Sequence, residues 1–204
     1  MIISFDTLSP AKVYFTMIQT LMPRPVAWVL SKNPNASYNL APFSYFNAIC
    51  SDPPLIMLSI GVKPDGRPKD SRLNIEEDKD FVVHIAHREM APIVTQTSAT
   101  LPREVSELEL AGLQTCEFPG SRLPRLADCR IAYACTLHEL REIGKAPQAL
   151  IIAEVKQVYI DDAVIEHDAK GRVLVMAEKV DPIGRLGGNE YTTFGEILKI
   201  PRPK

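Results

Sequence analysis

The sequence predicts a mainly β, antiparallel fold that is closed or nearly closed into a barrel and covered by helices. Short apolar runs recur along the chain and end at proline, glycine or asparagine, as strands bounded by turns do. Prolines outnumber glycines by 17 to 10, which disfavours long helices. The regular alternation of strands and helices that builds a doubly wound parallel sheet is missing from the sequence.

A helix is expected first, over residues 10–22. Val13, Met17 and Leu21 recur there at helical spacing. Pro10 suits the first turn of a helix, where its missing N–H group costs no hydrogen bond. The Pro-Arg-Pro sequence that follows is expected to end the helix.

The expected strands are apolar runs bounded by turn residues. The first two are joined by a polar, asparagine-rich turn, which indicates a hairpin. The longest late run alternates apolar and polar residues toward its end, as a half-exposed strand does. In order, the expected strands cover residues 26–30, 38–43, 55–61, 81–86, 131–143, 148–160 and 173–176.

Between these strands the sequence predicts short covering segments. Residues 72–80 fit a short helix, with Asp70 or Ser71 as its N-cap. Residues 88–100 fit another short helix. Residues 101–130 carry irregularly spaced prolines and glycines, so we expect them to cover one end of the sheet.

Composition excludes several classes of function. The net charge is −2, and no basic run is present to neutralise nucleic-acid phosphates. No signal peptide and no apolar run of about 18 residues is found, so we expect a cytoplasmic protein without a membrane partner. The four cysteines lack Cys-x-x-Cys spacing, so we expect reduced thiols and no metal site. One domain is expected over residues 1–204, with a loop-like tail from about residue 181 that packs on the barrel or on a partner subunit.

Residues 33–51 contain no charged residue and no histidine, in a chain that is 24% charged. Asn39, Ser44 and Asn47 are set there among aromatic and aliphatic residues. Neutral hydrogen-bonding groups in apolar surroundings suit a pocket for a flat molecule with polar edges. The alternative interpretation is a buried strand pair whose polar residues satisfy a turn.

Three groups of residues have the chemistry to bind an anion. Arg24 lies between two prolines, and Arg185 lies beside a glycine-rich turn. Lys69 and Ser71 lie at an expected helix start, where free N–H groups and the helix dipole favour a phosphate. Taken singly, each is more often a surface charge or a loop. The glycine-rich phosphate loops and the Gly-x-Ser-x-Gly motif of hydrolases are missing.

Five motifs occur in a fixed order: Pro-Arg-Pro-Val-Ala-Trp-Val at 23–29, Asn-Leu-Ala-Pro-Phe-Ser-Tyr-Phe-Asn-Ala at 39–48, Ser-Asp-Pro-Pro at 51–54, Lys-Asp-Ser-x-x-Asn-Ile at 69–75, and Arg-Leu-Gly-Gly at 185–188. This series resembles the flavin reductase-like family of FMN-binding split barrels, which includes the flavoredoxins. The resemblance implies an antiparallel, Greek-key-like split β-barrel. It also implies a homodimer that holds FMN near the interface between its subunits.

The resemblance also implies which residues bind the cofactor. Ser31 and residues 39–48 would line the isoalloxazine ring and the ribityl chain. Lys69 and Ser71 would bind the phosphate, with serine here in place of the family's threonine. Arg24 is a candidate for a cation near flavin N1. The expected cofactor-binding residues are Arg24, Ser31, Asn39, Ser44, Tyr45, Phe46, Asn47, Ala48, Lys69, Ser71, Arg185, Gly187 and Tyr191, and no catalytic residue is assigned.

The function implied is that of a flavin reductase that takes hydride from NADH or NADPH. Its electrons would pass from FMN to free flavin or to a protein acceptor. The flavin carries the redox chemistry, so no acid, base or nucleophile of the protein is needed. The alternatives are a flavoredoxin-like electron carrier with a protein donor, a flavin sensor or storage protein, and a split barrel that holds haem or pyridoxal phosphate.

Overall fold

The computed structural model describes residues 1–145, 147–201 and 203. Ala146, in the expected turn between two long strands, and Arg202 and Lys204, in the expected tail, lie outside the described residues. The strands of the described part are β1 (Arg24–Pro25), β2 (Ala27–Lys32), β3 (Tyr38–Phe43), β4 (Phe46–Ser51), β5 (Pro54–Ile60), β6 (Asp80–Ile85), β7 (Thr115–Cys116), β8 (Arg125–Leu126), β9 (Ile131–Ile143), β10 (Gln148–Ile160), β11 (Ile165–His167), β12 (Val173–Val175), β13 (Gly184–Arg185) and β14 (Tyr191–Thr192). The helices are α1 (Pro10–Thr20), α2 (Asp70–Asp78), α3 (Ala91–Gln96), α4 (Glu107–Leu110) and α5 (Ala177–Val180), with 3-10 turns at Phe5–Thr7, Arg88–Met90 and Asp162–Val164.

Seven strands form one antiparallel sheet in the order β3-β2-β6-β9-β10-β5-β4. β3 and β4 lie at its two edges, yet only residues 44–45 join them. The sheet must therefore curl until its edges approach each other, and the Ser59 N–H donates to the Tyr45 carbonyl at 2.8 Å there. The predicted antiparallel split barrel with helical covers is confirmed.

The core lies on both sides of β2. Ala27 and Val29 face the inside of the barrel and pack with side chains of β3, β5, β6, β9 and β10. Trp28 and Leu30 face outward and are fully buried by the covering segments. Because both faces of β2 are covered, its sequence is a continuous apolar run instead of an alternating one.

Residues 101–130 cover the outer face of the sheet, whereas we expected them to cover one end of it. Leu108, Phe118 and Leu123 are buried there in the same cluster as Trp28. The Trp28 indole N–H also donates to Thr97 Oγ1 at 2.9 Å. This bond ties the segment after α3 to the barrel and fixes its position beside β3.

His84, on β6, is fully buried under this cover. Its Nδ1 lies 3.1 Å from the Trp28 carbonyl, and its Nε2 accepts the Leu126 N–H at 2.9 Å. Both ring nitrogens are therefore satisfied in the neutral form, with the proton on Nδ1. Burial, helped by the charge of Arg125, lowers the pKa of His84 to about 4.

Four local expectations differ from the structure. The N-cap of α2 is Lys69, and Asp70 and Ser71 lie inside the helix. The Ser71 hydroxyl accepts a hydrogen bond from Asn39 on β3. The expected helix at 88–100 is a 3-10 turn followed by the short helix α3. Residues 46–51 form an edge strand, β4, that is almost wholly exposed and that the sequence did not indicate. The tail is not only loop, because β13 and β14 pair with β1 in a second small sheet.

α1 confirms the expected first helix, but it lies on the outside of the fold. None of its residues is buried. Tyr14 and Phe15 on α1 are each more than half exposed, and so is Leu21, the residue just past the end of the helix. Among the described residues, no helix combines the length and the apolar character that crossing a membrane requires.

Candidate functional site

Lys69 lies at the start of α2 with its ammonium group turned inward. It is half-buried, and its Nζ lies 5.5 Å from the centre of the Phe43 ring. Burial lowers its pKa. The adjacent Asp70 pairs with Lys63 at 2.8 Å, and Lys69 has no ion-pair partner within the described part of the chain. An unpaired, partly desolvated ammonium beside a helix start is suited to bind an anion.

A buried network of amides and hydroxyls holds α2 in place. Asn39 Nδ2, on β3, donates to Ser71 Oγ at 2.8 Å. Asn74 Nδ2 is shared between Ser31 Oγ, at 3.2 Å, and Asn33 Oδ1, at 2.9 Å. Asn74 is fully buried, so these bonds satisfy an amide that would otherwise be costly to bury. The network sets the position of Lys69 relative to β3.

Lys69 lines a pocket with about 440 Å³ of empty space, which we call the lysine pocket. The start of α2 and strand β3 form one wall, and the segment after α3 forms the other. Its lining residues are Asn39, Ala41, Pro42, Lys63, Lys69, Asp70, Ser71, Thr97, Ser98, Ala99, Thr100, Leu101 and Glu107.

Glu107 brings a buried carboxylate to the lysine pocket. Its Oε2 accepts the Leu40 N–H at 3.1 Å, and burial raises its pKa. It sits in the first turn of α4, where Ser106 Oγ accepts the Glu109 N–H at 3.3 Å as the N-cap. We did not predict Glu107 as a site residue, although the Ser-x-x-Glu signature of a helix start was visible at 106–109.

A second pocket, of about 650 Å³ of empty space, adjoins the first, and we call it the arginine pocket. The two pockets share the lining residues Pro42 and Ser98, so they are neighbours, and together we call them the groove. The lining of the second is more aromatic. It consists of Tyr14, Val26, Pro42, Phe43, Ser44, Thr95, Ser98, Arg185, Asn189 and Tyr191.

The tail brings Arg185 and Tyr191 to the arginine pocket. The Arg185 guanidinium lies over the Tyr191 ring, 4.6 Å from its centre, and donates to the Gly188 carbonyl. Thr95 Oγ1 donates to the Tyr191 hydroxyl at 3.1 Å. These contacts fix a cation and an aromatic ring at the mouth of the pocket.

Arg24 lines neither pocket. It is 5% exposed, and its guanidinium donates to the carbonyls of Ile18, at 2.8 Å, Leu21, and Leu186, at 2.9 Å. Its Nε also lies 3.4 Å from Ser44 Oγ. Arg24 therefore joins the end of α1 to the tail, and its expected place near flavin N1 stays a prediction.

Gly187 lies where the tail meets α1. A Cβ atom at this position would lie 2.2 Å from Gln19 Oε1, so a larger residue has no room unless the glutamine moves. Gly187 therefore permits a close approach of two segments, and it lines neither pocket.

The groove brings together six of the predicted residues: Asn39, Ser44, Lys69, Ser71, Arg185 and Tyr191. Ser31 is fully buried, accepts a hydrogen bond from Asn74 and lines neither pocket, so its contact with the flavin stays a prediction.

The predicted residues 45–48 lie outside the groove of this chain. Tyr45 and Phe46 are half-buried, whereas Asn47 and Ala48 are exposed on the edge strand β4. The Asn47 side chain accepts the Ala48 N–H at 2.9 Å, as a local structural residue would. Sequence reasoning also missed residues that do line the groove, namely Tyr14, Lys63, Thr95, Ser98 and Glu107.

Comparisons with known proteins agree with this architecture. Residues 19–180 match the family described as "Flavin reductase like domain". A Halalkalibacterium halodurans protein, "Uncharacterized protein BH2278", is 36% identical over 202 residues, which cover 97% of this chain and 94% of that protein. The structure of nitrilotriacetate monooxygenase component B from Bacillus cereus is 32% identical, with a TM-score of 0.89 and 98% of each chain covered. A split-barrel structure from Shewanella frigidimarina, 20% identical with a TM-score of 0.83 and 100% of each chain covered, shares the fold.

Proposed function

Because the chain belongs to the flavin reductase like domain family, we propose that it is an FMN-dependent oxidoreductase that takes hydride from NADH or NADPH. The resemblance drawn from the five motifs is thereby confirmed at the level of the family. One observation carries the proposal: the Lys69 ammonium, which has no ion-pair partner among the described residues, lines one of two neighbouring pockets, and the other pocket has an aromatic lining.

The residues present fit FMN. A phosphate at Lys69 would neutralise the unpaired ammonium and accept hydrogen bonds from Ser71 and from the first N–H groups of α2. The groove then leads between Pro42 and Ser98 to the aromatic lining of Tyr14 and Tyr191.

The protein's part in such a reaction is to bind, orient and shield. When bound, FMN supplies a ring that accepts a hydride and releases its electrons singly or in pairs. Pro42 and Phe43 supply apolar surface that excludes water from the groove. Arg185 is held by Tyr191 at the open end, where its charge is placed to attract the phosphates of a nicotinamide nucleotide.

We further propose that the active form is a homodimer. α1 has no buried residue, and several apolar side chains on it and just beyond it are exposed. The edge strand β4 is exposed as well, with Ile49 48% accessible. Apolar surface and an open sheet edge of this kind are usually covered by a partner. Because Tyr14 lies both on α1 and in the arginine pocket, the interface would border the flavin.

We expect Leu21→Asp to shift the protein from dimer to monomer, because it places a charge in the proposed interface. Sedimentation velocity measures this directly. Leu110→Asp is the matched control, since Leu110 is a similarly exposed leucine on α4, at 62% against 57% for Leu21. A wild-type protein that sediments as a monomer at micromolar concentration would contradict the proposed dimer.

The flavin reductase activity is tested by mixing the purified protein and FMN with NADH or NADPH and following absorbance of the nicotinamide. We expect oxidation above the flavin-only blank with at least one donor. No oxidation with either donor, by a protein that still binds FMN and is reduced by a ferredoxin-like donor, would favour the flavoredoxin-like alternative. A colourless protein that does not bind FMN would contradict both the flavin reductase proposal and the flavoredoxin-like alternative.

Two further parts of the proposal concern partner and location. A relative named as one component of a monooxygenase works with another component, which supports a protein acceptor for the electrons. The four cysteines are free thiols in the structure, which supports a reducing, cytoplasmic environment.

A further inference from the structure

Glu107 is a buried carboxylate without a charge partner. It is 7% exposed, and among the described residues it forms no ion pair. Among those residues the Leu40 N–H donates to its Oε2, and the backbone N–H of Glu107 itself also donates to the carboxylate. An ionised carboxylate is costly to bury unless it is paired or well hydrogen-bonded. Its position in the wall of the lysine pocket therefore indicates that a ligand supplies further donors.

The carboxylate and the ammonium both line this pocket, and no ion pair joins them among the described residues. Burial lowers the pKa of Lys69. The nearby charges that act on Glu107 are those of Asp70 and Lys63. The ligand must therefore present an anion at one point and hydrogen-bond donors at another.

The flavin assigned to this groove has both features. Its phosphate suits Lys69, and the polyol chain between phosphate and ring carries hydroxyl groups. A carboxylate beside the amide of Asn39 and the hydroxyl of Ser71 is a typical environment for such hydroxyls. Building on the proposed function, we propose that Glu107 accepts hydrogen bonds from the polyol chain and makes the site select flavins that carry it.

α4 holds Glu107 rigidly enough for this role. Ser106 caps the helix and its hydroxyl donates to the Tyr38 carbonyl on β3, while Leu108 packs into the core. The carboxylate is thus fixed before the ligand arrives, so little entropy is lost when hydroxyls bind.

The test compares three flavins on Glu107→Gln by fluorescence titration. Glutamine keeps the shape and an acceptor for the Leu40 N–H but removes the charge. We expect riboflavin to bind about tenfold more weakly, as the loss of a charge-assisted hydrogen bond predicts. The affinity for FMN should fall by less, because the carboxylate that is lost also repels the phosphate. The affinity for lumiflavin, which lacks the polyol chain, should be unchanged. Glu109→Gln, on the exposed side of α4, is the control and should change none of the three.

Unchanged riboflavin binding, or equal weakening of riboflavin and lumiflavin, would overturn the inference while leaving the proposed function intact. Wild-type protein that binds none of the three flavins would overturn both. If Glu107→Gln does not fold, the wild type is titrated with a flavin whose chain at N10 is n-pentyl. Affinity equal to that of riboflavin would refute a role for the hydroxyls, and affinity about tenfold weaker would support it.

Discussion

Lys69→Ala is expected to weaken FMN binding by about 1.5–3 kcal/mol, or roughly ten- to hundredfold. The variant removes a charge-assisted contact to the phosphate from an ammonium that has no ion-pair partner among the described residues. Riboflavin, which lacks the phosphate, should bind as tightly as it does to the wild type. Titration of protein fluorescence or flavin quenching with both ligands measures the difference.

The control for Lys69→Ala is Lys170→Ala, because Lys170 is exposed and lies in neither pocket. It should leave both affinities unchanged. If Lys69→Ala weakens the binding of riboflavin as much as that of FMN, Lys69 supports the ring or the fold and does not bind the phosphate. If it changes neither, the phosphate lies elsewhere and the assignment of the lysine pocket is wrong.

The free energy of unfolding should fall by about 2–3 kcal/mol between pH 7.5 and pH 4.5 through His84 alone. The pKa of His84 is about 4 in the folded protein, whereas an unfolded histidine titrates near 6.5. The unfolded chain therefore binds more protons between these values, so stability is lost as pH falls from about 6.5 to about 4. Protonation of Nε2 would also break its bond to the Leu126 N–H.

Urea unfolding at a series of pH values measures this loss. His84→Gln should give a shallower dependence on pH between 4.5 and 6.5 than the wild type does. His138→Gln is the control, because His138 is exposed and should not change the dependence. The pKa of His87 is also lowered by burial. His87 is present in the wild type and in both variants, so its contribution to the pH dependence is common to all three. An NMR titration that gives the His84 ring a pKa near 6.5 in the folded protein would refute the prediction, and it needs no variant.

The strands were predictable wherever the pattern of residues is local. β9 and β10 were predicted with their observed bounds because long apolar runs between turn residues have few other interpretations. β4 was not predicted, because its exposure follows from its place at the sheet edge and not from its own apolar content. Ile49 is half exposed there despite being a typical core residue.

The candidate site was predictable where a residue type and a helix start coincide. Lys69 and Ser71 lie in the groove because the start of a helix presents free N–H groups wherever it occurs. Ser31 shows the limit of this reasoning. It lies opposite Asn39 in the register of β2 and β3, yet α2 covers the inner strand and leaves the edge strand open. Arg24 shows the same limit, because no local pattern reveals that its donors meet carbonyls of α1 and of the distant tail.

The sequence by itself determined the β-rich class, the family and the lysine at the helix start, because these depend on the order of residues along short segments. Only the tertiary structure decided that Glu107 and Asn39, 68 positions apart, line one pocket, and that Arg185 lines the next one. The reason is physical: the curl of the sheet and the packing of the cover bring distant segments together, and long-range packing leaves no signature in local spacing.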